Sequence, residues 1–181
     1  RNLDFARPFQ AAGLSPNLWL EGRNEQPVWN DLEMLAYANH EVIRAILIAK
    51  ARLKALCFQF ATGHPIQSLW PFIIDQLRII QSSKGGLALR QYSQPRLDSA
   101  GKWLTWRHKQ IYEQFPADLQ DLPLFITEFG LDGGVTYEGA PTPRPREGWQ
   151  TYTDEAGLIE QVHLVAPQLG KAKGVTFFTF G

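Results

Sequence analysis

Five short apolar runs, at residues 17–20, 55–60, 87–92, 124–128 and 174–180, alternate with stretches of helical spacing, and this alternation confines the chain to a parallel α/β architecture. The runs are apolar on consecutive residues rather than on every second one, as expected of strands covered on both faces. The helical stretches fall at 31–54, 66–81, 103–115 and 152–169. In the first of them Leu32, Leu35, Ile43, Ile46, Leu47 and Leu53 carry the three- and four-residue spacing, so that face is expected to cover the sheet. Thr62-Gly63-His64-Pro65, Gly85-Gly86 and Ser93-Gln94-Pro95 punctuate the strands. The Pro- and Gly-rich segment 137–148 is long enough to be a functional loop. No linker, repeat or low-complexity stretch divides the chain, so residues 1–181 are expected to belong to one domain.

Composition narrows the partners. Eighteen Lys+Arg balance eighteen Asp+Glu, and no basic stripe interleaves with aromatics, so neither nucleic acid nor a membrane surface is expected and a neutral ligand is. The longest apolar run is far shorter than the ~20 residues that span a bilayer. Cys57 is the sole cysteine and lies in an apolar run, so it is expected to be a small buried hydrophobe. His40, His64, His108 and His163 lack the paired spacing of a metal site, and most are expected to be solvated or capping; no metal or organic cofactor is expected.

An open doubly wound sheet and a closed (β/α)₈ TIM barrel share this alternation, and both place chemistry at the C-terminal ends of strands. No Gly-x-Gly-x-x-Gly and no Gly-Lys-Ser/Thr loop is present, which favours the barrel; a Gly-x-Ser-x-Gly elbow is absent as well, against an esterase. Polar groups gather just past the strand ends: Glu21, Asn24 and Glu25 after the first, Arg90 and Tyr92 at the third, Glu128 at the fourth. A lone glutamate there is ordinarily a loop-edge acid paired with Arg90, Arg23 or a helix N-terminus. Two carboxylates from different strands facing one cavity are instead what glycosidic cleavage requires, one as proton donor and one as nucleophile.

Asn24-Glu25-Gln26-Pro27 and Ile126-Thr127-Glu128-Phe129-Gly130 stand in order, three strands apart. In this they resemble the large clan of retaining (β/α)₈ glycoside hydrolases, whose fourth strand ends in Asn-Glu-Pro and whose seventh ends in a glutamate often written Thr-Glu-x-Gly. The resemblance implies that the chain covers strands four to eight, with Glu25 as acid/base, Glu128 as nucleophile and Asn24 on the sugar 2-hydroxyl. It further implies a Tyr92 hydrogen bond to Glu128, an oligo- or polysaccharide substrate, and strands one to three upstream of Arg1 in the same polypeptide. Residues 1–16 would then be the tail of the strand-three loop and its helix, and the chain as it stands would expose an apolar sheet edge. More narrowly, Glu128-Phe129-Gly130-Leu131-Asp132-Gly133-Gly134, Gly148-Trp149 and residues 174–181 resemble bacterial proteins described only as hydrolase-like.

The chain departs from the clan pattern in three places. Gln26 separates Glu25 from Pro27; Arg90 stands where His is usual in a His-x-Tyr pattern, bringing a permanent cation to the nucleophile; and Phe178 and Phe180 replace a tryptophan platform. Of the six tryptophans, Trp149 is the one expected to stack on a sugar, while Trp103 and Trp106 are expected to line a helix's core side. His64, just after the second run, is expected at the mouth. A barrel that has lost turnover and serves as a carbohydrate-binding or structural module is the alternative function, and an unrelated α/β enzyme is a weaker third; a carboxyl separation near ~5–5.5 Å marks the retaining enzyme.

Overall fold

The computed structural model describes residues 7–14, 17–98, 106–132 and 148–177. Within them five parallel strands, β1 (Trp19–Leu20), β2 (Lys54–Cys57), β3 (Gly86–Ser93), β4 (Leu124–Leu131) and β5 (Gly174–Phe177), form one sheet in sequence order. The main helices are α1 (Arg7–Ala11), α2 (Asp31–Lys50), α3 (Ile74–Ser82), α4 (Arg107–Gln114) and α5 (Glu155–Val165). The alternation read from the sequence therefore holds as a mixed α/β chain with an all-parallel sheet.

The sheet curls. Rings of Trp19 on β1 and Phe125 on β4 meet with centroids 4.9 Å apart, although β2 and β3 lie between them. In a flat sheet, three strand spacings would hold these residues ~14 Å apart. Trp19 reaches over β3, where a Cβ on Gly86 would stand 3.1 Å from the indole, so the close approach requires glycine. The concave face thus starts at Trp19 and Phe125, and the opposite face carries the helices.

Several boundaries differ from expectation for local reasons. β2 stops at Cys57 because Phe58 turns out of the strand at φ 66, and only the isolated Gln26–Phe60 bridge continues the pairing. The single helix expected over 66–81 is a 3₁₀ segment, Gln67–Ile73, followed by α3; Pro71 lacks the N–H that a continuous α-ladder needs. The stretch 152–169 likewise divides into α5 and the 3₁₀ turn Ala166–Leu169. Residues 103–105, 137–147 and 178–180 lie outside the described residues, and with them Trp103, Phe178, Phe180 and most of the long Pro- and Gly-rich loop.

The buried face of α2 is not the one its periodicity suggested. Met34, Ala38, Glu41, Ala45 and Ile48 face inward, while Leu32, Leu35, Ile43 and Leu47 are exposed. Small Ala38 and Ala45 let the helix lie close to β2, and polar Glu41 takes a core position by finding partners there. Asn30 caps this helix by accepting from Glu33 N at 2.9 Å, and Glu33 reaches back to Trp29 N at 2.9 Å. Beneath α2, fully buried Trp70 is ringed by Phe58, Phe60 and Phe115 at 5.7–6.4 Å.

His108 corrects another expectation: it is buried on α4, between Gln91 of β3 (3.1 Å) and the carbonyl of Gln168 (3.2 Å). Only a ring N–H can meet that carbonyl, so Nε2 donates and Nδ1 accepts from Gln91. Burial pushes its pKa down from 6.5 to about 4. Between those values the unfolded chain binds a proton that the fold excludes, so stability present above pH 6.5 falls by about 3 kcal/mol as the pH drops toward 4. Urea midpoints at pH 7 and pH 4.5 should diverge less for His108→Gln than for the native chain; an unchanged gap would reassign the effect.

Candidate active site

Regular alternation along β4 would put Glu128 opposite Phe125, on the helix-covered face. It does not, because β4 holds one residue more than its neighbours. Leu89 and Arg90 pair with Ile126 and Glu128, and Val175 and Phe177 pair with Ile126 and Phe129. The extra residue, a β-bulge at Thr127, restores Glu128 to the concave face beside Arg90 and Tyr92.

There both carboxylate oxygens are held. Tyr92 OH donates to Oε2 at 2.6 Å, and Arg90 Nε lies 2.8 Å from Oε1, an ion pair rather than an aligned hydrogen bond. Burial, and then the bond to Glu128, raises the Tyr92 pKa, which keeps the phenol protonated as a donor. Arg90 is 2 % exposed and Glu128 22 %. Through Nη2 the guanidinium also donates to Asn24 Oδ1, while its Nη1 is buried with no hydrogen-bond partner. Asn24, Arg90, Tyr92 and Glu128 are thus brought together from the ends of β1, β3 and β4.

Thr127 Oγ1 is likewise buried without a partner. Thr127→Val should therefore stabilise the chain by about 1 kcal/mol, since an unpaired buried hydroxyl is replaced by a methyl. Thermal unfolding tests this, and a lowered midpoint would show that the hydroxyl is engaged.

Glu25 is placed differently. Between the pairs Leu20–Ala55 and Gln26–Phe60, six steps along the first strand face five along the second. Glu25 takes this offset at φ 49, is exposed, and makes no hydrogen bond or ion pair with another described residue. Gln26 is no mere interruption of the motif: its N–H donates to Gln59 O at 3.0 Å and its carbonyl accepts from Ala61 N at 3.3 Å. A proline at this position could not make the first bond.

His64 is half-buried, donating from Nδ1 to Val28 O at 3.0 Å, and its ring stands edge-on to Trp29 at 4.2 Å. Neither this hydrogen bond nor this ring contact joins it to the Glu128 cluster. Trp149 sits in a 3₁₀ turn, partly buried against the core. Among the described tryptophans Trp29, at 69 % exposure, is the most open to a ligand. The buried pair of Glu41 and Arg44 went unread, since both sit in an ordinary helical stretch. Among the described residues no cluster of His, Cys, Asp or Glu could hold a metal ion, and no helix is long and apolar enough to cross a membrane.

No protein-family model, curated protein or solved structure matches the chain.

Proposed function

We propose that the chain is the strand-four to strand-eight part of a (β/α)₈ barrel, and that it is a retaining glycosidase acting on an oligo- or polysaccharide. The observation that carries this reading is the Glu128 carboxylate, aimed by a bulge at the concave face of a parallel sheet and held there at both oxygens. In this reading Glu128 attacks the anomeric carbon while Glu25 protonates the departing oxygen. Glu25 then takes a proton from water, which displaces Glu128 and restores the anomeric configuration. Asn24, whose Oδ1 is occupied by Arg90, keeps its amide N–H groups for the sugar 2-hydroxyl. Strands one to three of the same polypeptide would pair with the β1 edge.

Incubation of the full chain with a panel of mechanism-based fluorinated glycosides, followed by peptide mass spectrometry, tests the proposal. A sugar adduct on Glu128 is expected, and a label on another residue would overturn the assignment. The exposure of Glu25 and the Arg90–Glu128 ion pair favour a second reading, a barrel that binds carbohydrate without cleaving it. It predicts no adduct with any sugar and retained binding.

A further inference from the structure

The loop that carries Asn24 and Glu25 is fastened at both ends by one residue. Gln59 accepts from Gly22 N through its side-chain Oε1 at 2.8 Å and from Gln26 N through its main-chain oxygen at 3.0 Å. Gln59 is itself buried, and its Nε2 donates to Leu56 O at 2.6 Å.

A buried ion pair on α2 seats this part of the chain. Glu41, fully buried, accepts from Phe58 N at 3.1 Å through Oε2 and from Arg44 at 2.8 and 3.0 Å. Arg44 in turn donates to Leu20 O at 3.1 Å and to Leu56 O. The pair therefore joins the last residue of β1 to the residues on either side of the β2 turn, immediately before the loop and before Gln59. Gly22 passes so close that a Cβ there would lie 2.9 Å from both the Arg44 guanidinium and Gln59 Oε1.

The geometry points to Gln59, seated by Glu41 and Arg44, as the positioning residue that fixes the Gly22–Gln26 loop and so aims Glu25 and Asn24. The fastening stands on the contacts alone; its catalytic consequence rests on the glycosidase reading. Glu25 has no hydrogen-bonded neighbour among the described residues to orient it, so its aim depends on the backbone at the loop's two ends.

Two variants of the full chain test this: Gln59→Met, which removes both side-chain bonds, and Gly22→Ala, which obstructs the close approach. Amide exchange in the 20–27 peptide should rise about tenfold in both, the loss of roughly one hydrogen bond, with β3 unchanged. Arg78→Met, on the surface, should leave exchange as it was. Unchanged exchange at 20–27 in both variants, or an equal rise in β3, overturns the fastening.

Turnover supplies the second arm. In kcat/KM, which reports formation of the glycosyl-enzyme, a misaimed acid should slow glycosides with poor leaving groups tenfold or more while sparing dinitrophenyl glycosides, which need no protonation. An equal loss on every leaving group overturns the positioning of Glu25. If the native chain cleaves none of them, the glycosidase reading fails and exchange alone decides the fastening.

Discussion

On the proposed glycosidase reading, Glu128→Gln is expected to lower turnover of a cleavable glycoside at least about 10⁴-fold while leaving the fold in place, because a covalent nucleophile acts as a unit with its partners. Glutamine keeps the shape of the side chain and one oxygen for the Tyr92 hydroxyl, so binding should persist as catalysis fails. Small anions separate the two carboxylate roles. Azide should restore turnover to Glu25→Ala with retained configuration, by taking the place of the second-step water, and to Glu128→Gly with inverted configuration, by replacing the nucleophile. Product stereochemistry by NMR reads the result, and retention in both variants would contradict the assignment of Glu128.

Glu41→Leu should lower stability by about 3–5 kcal/mol, which for a chain of this size is roughly 10 °C in Tm. The cost comes from what remains: half-buried Arg44 loses its counter-ion, and Phe58 N, in the interior, loses its acceptor. Leucine adds apolar contact but cannot answer either group. The double variant Glu41→Leu/Arg44→Met removes the stranded charge and should recover most of the loss, since a whole buried pair is often replaceable by apolar residues. Equal midpoints for the single and double variants would show that the pair is not the source of the effect.

Much of the fold was legible because strands covered on both faces announce themselves as short apolar runs. The Tyr92–Glu128 bond was legible only through the clan resemblance, since a tyrosine at a strand end reads equally well by itself as packing on a loop. What escaped depends on relations between segments. Between Met34 and Ile48 the inward face of α2 is built from two alanines and a glutamate, which a hydrophobic pattern ranks below the leucines that remain exposed. The bulge at Thr127 is a property of β4 measured against β3 and β5, and no reading of one strand reveals it. Arg90 was expected near Glu128, but its hold on Asn24 spans 66 residues of sequence.

Phe125 and Glu128 share the concave face although they stand an odd number of residues apart, which a regular strand forbids. The working unit is therefore a parity, and the tetrapeptide motif carries it only together with its distance to the aromatic anchor below. Copying Thr127-Glu128 onto an unbulged strand would point the carboxylate at the helices. Deleting one residue between Phe125 and Glu128 would instead leave them two positions apart, an even spacing that a strand without a bulge carries on one face, so the carboxylate would keep its side and only the extra residue would be lost.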